Sequence, residues 1–281
     1  MFPLNKKVIS IGFLVLLFGV TVINLLIPQK DFSESENRYL QKLPALNAED
    51  IVSGKFSQDF EKYTADQFPD RDGWIGLKTM AELALLKKDN QRVYFGKDGI
   101  LFDAGETIDE KQLVKNAEAV AALARALKAG NPDFHASTLL IPTASAVLTD
   151  RLPAFAPVPD QEAALKKAET LLKDDAPLYD ATGLLKNHLD IPLYYRTAPH
   201  TDEYLYFRTD HHWTTQAAFL VYGEWARANG LSPLPESAFR TETVSDSFYG
   251  TLYSKANLPT IQPDSVTAYT PLRPVEVSVL Y

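Results

Sequence analysis

The first twenty-odd positions show no alternation of hydrophobic and polar residues. Val8 to Ile27 contains no charged side chain and consists mostly of Val, Ile, Leu and Phe. At about 1.5 Å per residue this run spans about 30 Å, the thickness of a bilayer core. Lys6 and Lys7 precede it, Pro28 ends it, and Asp31, Glu34 and Glu36 follow. Positive charge stays on the cytoplasmic side, so the chain after the run is expected outside the membrane. A cleaved signal peptide has an apolar stretch of about 7–15 residues followed by small residues. This run is longer and no such cleavage pattern follows it, so an uncleaved anchor is expected. The partner of residues 8–27 is then the lipid bilayer.

Periodic patterns begin after a polar stretch at 28–55, read as a stalk. Phe56, Phe60 and Tyr63 recur at helical spacing, and a second helix is expected over Trp74 to Lys87. "RVYFGKDGILF" places two apolar runs around Lys97-Asp98-Gly99, a hairpin signal. Leu113, Ala117, Val120, Leu123, Ala124 and Leu127 form one helical face that ends near Gly130. "ASTLLIP" reads as a buried strand, 161–173 as a helix, "PLYD" as a short strand, "ATGLLKNHL" as a helical turn or two and "YLYFRTD" as another strand. Residues 215–229 form an amphipathic helix before Gly230. Further on, "FYGTLYS" and "DSVTAYT" look extended and "VEVSVL" alternates like a strand.

Strands alternating with helices predict an α/β domain with a parallel sheet and flanking helices. Only about three strands fit that sheet, against the five or six usual in such folds. The expected organisation is a cytoplasmic tail at 1–7, a transmembrane anchor at 8–27, a stalk at 28–55 and one domain at 56–281, its sheet incomplete at the C-terminal side.

Composition narrows the function classes. The net charge of −8 argues against nucleic acid as a partner, because neutralising phosphates needs clustered Lys and Arg. With no cysteine in the chain, disulfides, thiolate nucleophiles and Cys-based zinc sites are excluded. No cofactor is expected.

The candidate chemistry lies in "YFRTDHHWTTQ", residues 206–216. In an extended segment, positions i and i+2 share a face. Asp210 and His212 are then expected together, with His211 and Trp213 on the opposite face. A carboxylate beside an imidazole fixes its tautomer and leaves the other ring nitrogen free to accept a proton. The end of a strand just before a helix is also where open α/β sheets place their sites. Two other readings stand beside this one. Asp210 or Thr214 caps the next helix and Trp213 packs in the core, or Asp210, His211, His212 and His200 bind a divalent ion. Adjacent histidines on a strand point apart, which weakens the metal reading, and no metal is expected.

"TDHHWT", together with "RVYFGKDGILF", "SESENRYLQKLP" and "FYGTLYS", resembles the DHHW protein family over nearly the whole chain. That family looks like a relative of the SGNH-hydrolase-like alginate O-acetyltransferases. The resemblance implies an SGNH-like fold. It also implies that Asp210 is the orienting acid and His212 the general base of a Ser-His-Asp triad, with His211 on a variable position. In those relatives the serine lies in a later, separate block. No Gly-x-Ser-x-Gly elbow or Gly-Asp-Ser occurs here. Ser145, Ser247 and Ser265 read as turn or surface serines, so the nucleophile is expected beyond Tyr281.

The implied reaction is acetyl transfer or ester hydrolysis on a cell-envelope glycan. The 281 residues alone are expected to show little or no turnover for lack of the serine. The alternative is a non-catalytic carbohydrate-binding or scaffolding protein of the cell envelope.

Overall fold

The computed structural model describes residues 6–33, 36, 38–105, 107–190 and 204–273. The "VEVSVL" strand and His200 lie outside them. The chain divides into two compact units, one formed by residues up to Leu85 together with Ala256–Pro259, the other by Leu86–Lys255 and residues from Thr260 onward.

The first unit begins with helix α1 (Lys6–Leu26), whose apolar side chains are exposed along its length. By length and composition it is able to cross a membrane, and a signal sequence passes the same test. Strands β1 (Phe32–Ser33) and β2 (Arg38–Tyr39) pair antiparallel. Helices α2 (Ala48–Val52), α3 (Lys55–Asp66) and α4 (Arg71–Ala84) follow. The expected aromatic stripe of α3 is present, with Phe56 and Phe60 stacked at 5.9 Å. The segment read as a stalk folds back onto this helix. Arg38 donates to both carboxylate oxygens of Asp66, at 2.9 and 2.6 Å, and the Gln41 amide donates to the same group at 2.8 Å. Hydrogen bonding by Arg38 holds the Asp66 carboxyl below its ordinary value.

The second unit is mixed α/β. Strands β3 (Asp89–Asn90), β4 (Val93–Phe95) and β5 (Leu101–Asp103) form an antiparallel sheet. The β4–β5 turn is the expected Lys97-Asp98-Gly99, with Asp98 and Gly99 at positive φ (57° and 72°). Glycine and aspartate tolerate that left-handed conformation in tight turns. Helix α5 (Glu110–Gly130) starts at Asp109, whose side chain accepts from the amides of Lys111 and Gln112. Then come β6 (Thr138–Leu139), the short α6 (Ala144–Val147), α7 (Gln161–Leu172), β7 (Leu178–Tyr179), α8 (Ala181–Asp190) and α9 (Thr215–Ala228). The chain continues through β8 (Phe239–Phe248), α10 (Thr251–Ala256) and β9 (Asp264–Pro271).

Strands β6 and β7 pair parallel, as the strand–helix alternation predicts, but each has only two residues. The strand read from "ASTLLIP" is also not buried, since Leu139 is exposed at 36%. Strands β8 and β9 form an antiparallel hairpin apart from that pair. The sheets are small and unclosed. The unit is nonetheless α/β, with helices placed between the strands.

One hydrophobic cluster joins Ile100, Phe102, Ala144, Val147, Leu148, Ala181 and Leu185 to Leu205, Tyr206, Ala217 and Val221. A second packs Ala117, Ala121 and Ala124 of α5 on Ala168 and Leu172 of α7. Each fully buried Leu or Phe contributes about 1.5–3 kcal/mol of burial free energy. The first cluster thereby anchors the segment that carries the candidate site.

Two sequence expectations are corrected here. "YLYFRTD" is not a sheet strand. Its residues form one arm of a narrow loop that folds back on itself through the Tyr206–Trp213 bridge and the Thr214 N to Leu205 O hydrogen bond, 2.9 Å. "FYGTLYS" is not extended throughout, because β8 stops at Phe248 and α10 begins at Thr251. Phe, Tyr and Thr favour strands locally, and tertiary contacts override that preference.

Candidate active site

Asp210 stands at the tip of the folded-back loop and is 4% exposed. Its base is fixed from several sides. The Leu101 amide of β5 donates to the Arg208 carbonyl at 2.7 Å. The Tyr206 hydroxyl donates to the Pro142 carbonyl at 2.7 Å, beyond the end of β6. At the other end, Thr214 caps α9, its Oγ1 accepting from Ala217 N at 3.2 Å and donating to Tyr204 O at 2.7 Å. The capping reading of the motif therefore holds for Thr214, and Asp210 has other partners.

Four donors converge on the Asp210 carboxylate. Oδ1 accepts from His212 N at 2.9 Å and lies 2.6 Å from His212 Nδ1. Oδ2 accepts from Thr251 N at 2.7 Å and Thr251 Oγ1 at 3.0 Å. The bond to the amide two residues on is an Asx turn, which an aspartate in a tight loop forms by itself. Burial pushes the carboxyl up. The amides of Thr251 and His212, the His212 ring and the Thr251 hydroxyl outweigh it, so Asp210 titrates below the ordinary carboxylate value.

A depressed native pKa contributes stability that is present above the unfolded value, about 3.9, and is lost as pH falls through the native value. The melting temperature of the wild type is accordingly expected to fall more steeply on going from pH 5 to acid than that of Asp210→Asn. Thermal denaturation followed by circular dichroism across this range checks it. Parallel slopes for the two proteins would remove Asp210 from the acid transition.

The pairing of Asp210 with His212 does not arise from strand alternation. The backbone turns at 208–212, and the Asx turn brings the two side chains together. The same turn places His211 beside His212, with ring centroids 3.9 Å apart, rather than on an opposite face. His211 Nδ1 is 2.8 Å from Thr251 Oγ1 and 3.6 Å from Asp210 Oδ1. Potential ligand atoms of Asp210, His211 and His212 all lie within 4.8 Å of one another. The geometric objection to a metal reading thus does not apply. His212 Nδ1 is nevertheless already bonded to the carboxylate, an arrangement that orients an imidazole for proton transfer.

The side chain of His212 is 66% exposed, so its second nitrogen is open to solvent. A cavity of about 330 Å³ lies beside Asp210 and His211, lined also by Ser145, Gln161 and Leu252, and His212 is not among its lining residues. Its volume is within the range of small-ligand pockets. A larger hollow of about 880 Å³ near Arg92, Glu110 and Lys167 contains neither Asp210 nor His212. Ser145 Oγ lies 2.9 Å from Thr143 Oγ1 and 3.4 Å from Gln161 Nε2. Ser247 and Ser265 lie in β8 and β9.

Thr251 and Gly250 were not legible as site residues. A Cβ built on Gly250 meets Asp210 Cβ at 2.3 Å and Oδ2 at 2.4 Å, so only glycine permits this approach. The Gly-Thr pair inside "FYGTLYS" was the one available signal, a glycine within a strand-like run marking a close backbone contact.

Three solved structures are similar in part. A DHHW family protein from Eubacterium siraeum DSM 15702 has 23% identity, covers 54% of this chain and 47% of its own, and has a TM-score of 0.40. The O-acetyltransferase domain of Pseudomonas putida AlgJ has 21% identity, 64% and 66% coverage and a TM-score of 0.44. Bacillus cereus PatB1 has 17% identity, 64% and 55% coverage and a TM-score of 0.47. The chain thus spans between about half and two thirds of each relative's length. No curated protein matches it. Residues 93–278, well over half of the chain and including the whole Asp210–His212 loop, match the profile described as "SGNH hydrolase-like domain, acetyltransferase AlgX", and the chain belongs to that family.

Proposed function

We propose that the protein is a membrane-anchored, extracytoplasmic O-acetyltransferase or acetylesterase acting on a cell-envelope polysaccharide. The observation that carries this reading is the 2.6 Å contact between His212 Nδ1 and Asp210 Oδ1 beneath an exposed imidazole. Membership of a family described by an acetyltransferase supports the reaction class. Helix α1 supplies the anchor, with Lys6 and Lys7 on the cytoplasmic side.

In this mechanism Asp210 accepts the Nδ1–H of His212, which leaves Nε2 unprotonated. Nε2 takes the proton of a serine hydroxyl as its oxygen attacks an acetyl ester carbonyl. The tetrahedral intermediate collapses to an acetyl-serine, and His212 returns the proton to the departing alcohol. A sugar hydroxyl or water, deprotonated by the same nitrogen, then attacks the acetyl-serine and releases the serine. The hydroxyl of Ser145 is engaged by Thr143 and Gln161, and the attacking serine is assigned to no residue among those described.

The test compares acetyl-ester turnover by the whole gene product with that of His212→Ala, using an aryl acetate and an acetylated polysaccharide. A loss of about 10³-fold or more in the variant supports the reading. Equal turnover by both proteins overturns it. Glycan binding without turnover in either protein identifies a non-catalytic carbohydrate-binding protein instead.

A further inference from the structure

A second carboxylate lies behind the first. Asp264, at the start of β9, is fully buried. Its Oδ1 accepts from the Tyr204 hydroxyl and from Arg208 N at 2.9 Å. Its Oδ2 accepts from Thr209 N at 2.8 Å and from Thr209 Oγ1. An ionised carboxylate offers about four acceptor positions, and here all are used. Three of the four donors belong to Arg208 and Thr209, the two residues immediately before Asp210.

Thr209 passes this restraint on. Its Oγ1 accepts from Gly250 N at 3.0 Å. Its carbonyl accepts from Leu252 N at 3.1 Å and Tyr253 N at 3.0 Å, the first turn of α10. Thr251, between those residues, is the one that donates twice to Asp210. One buried carboxylate therefore fastens the segment carrying Asp210 and, through a single hydroxyl, the segment carrying its donors.

We infer that Asp264 is a positioning residue that sets the orientation of Asp210 toward His212. It is not among the residues that line the cavity beside Asp210 and His211. Its role rests on the reading of Asp210 and His212 as acid and base. The physical argument is one of geometry. A buried, fully bonded carboxylate is costly to disturb, and a small displacement of a catalytic pair lowers the rate steeply. An isosteric amide at 264 offers one oxygen where two are used, and its NH₂ group faces two donors. The Arg208–Thr209 turn then has to move.

The experiment records the tautomer of His212 by ¹⁵N–¹H spectroscopy of the full chain, labelled at histidine, in detergent micelles. The wild type is expected to show a single neutral tautomer for His212, protonated at Nδ1. Asp264→Asn is expected to convert it to the mixed Nδ1/Nε2 pattern of an unrestrained imidazole, while the circular dichroism stays native. Thr209→Val, which removes the shared hydroxyl and keeps the shape, is expected to do the same and carries the test if the asparagine variant does not fold. A purely structural role predicts a lower melting temperature with the His212 signature unchanged. That outcome in the folded variants overturns the inference. Failure of the acid–base reading looks different, because the wild type itself would then lack the single-tautomer signature.

Discussion

Asparagine at position 210 is expected to lower acyl turnover of the whole gene product by about 10³–10⁴-fold, with KM changed far less. Two donors face each carboxylate oxygen, His212 N and Nδ1 on one side, Thr251 N and Oγ1 on the other. An amide has one oxygen, so its NH₂ group must confront either the His212 pair or the Thr251 pair. In the first case Nδ1 loses its acceptor and the imidazole adopts the wrong tautomer. In the second the loop shifts away from α10. Leaving a buried donor unpaired also costs about 1–3 kcal/mol, which appears as a lower melting temperature. In the proposed mechanism Asp210 acts through His212, so the double variant with His212→Ala is expected to be no slower than His212→Ala alone. Steady-state kinetics on the three variants check this. Multiplicative losses would mean that the two residues act independently.

The second large effect is expected from a single methyl group. Gly250→Ala places a Cβ 2.3 Å from Asp210 Cβ and 2.4 Å from its Oδ2. The obstructing Cβ is attached directly to the backbone, so rotation of a flexible side chain cannot relieve the clash. Either the Asp210 loop or the Gly250–Thr251 segment must retreat. Overpacking of this kind costs about 1–3 kcal/mol. A displacement on the ångström scale at an acid–base pair lowers turnover by about 10²-fold. Gly223→Ala is the control. Its added Cβ meets nothing closer than Arg227 Nη1 at 3.6 Å, and it lies inside α9, where alanine is favoured over glycine by about 1 kcal/mol. The two alanines should therefore change the melting temperature in opposite directions. A Gly250→Ala protein with native stability and turnover would show that the close approach is not needed.

These predictions differ in how far sequence could have led to them. Asp210 and His212 are separated by one residue, so some contact between them was foreseeable from almost any compact conformation. The contact itself follows from a turn, not from strand alternation, and for that reason His211 lies beside His212 and not on the opposite face. The loop reads as a strand because Tyr204, Leu205, Tyr206 and Phe207 are strong strand formers. The side chains of Leu205 and Tyr206 instead root a loop in the core, and the Tyr206 hydroxyl donates to the Pro142 carbonyl. "FYGTLYS" misled in the same way. The long helices α5, α7 and α9 and the β4–β5 hairpin were readable because their period or turn residues are local properties.

The order of residues was sufficient for the apolar first helix, the amphipathic helices, the Gly99 turn, the strand–helix alternation of an α/β domain and the nearness of Asp210 to His212. Each of these depends on neighbours within a few positions, where spacing and side-chain type decide the outcome. Tertiary structure alone decided that Thr251 would share Asp210 with His212, that position 250 must lack a side chain, and that Asp264 would secure Thr209 from 55 residues away. Those choices are made by hydrogen bonds and close approaches between distant segments. They have no period, and a buried carboxylate read in isolation looks like any turn aspartate.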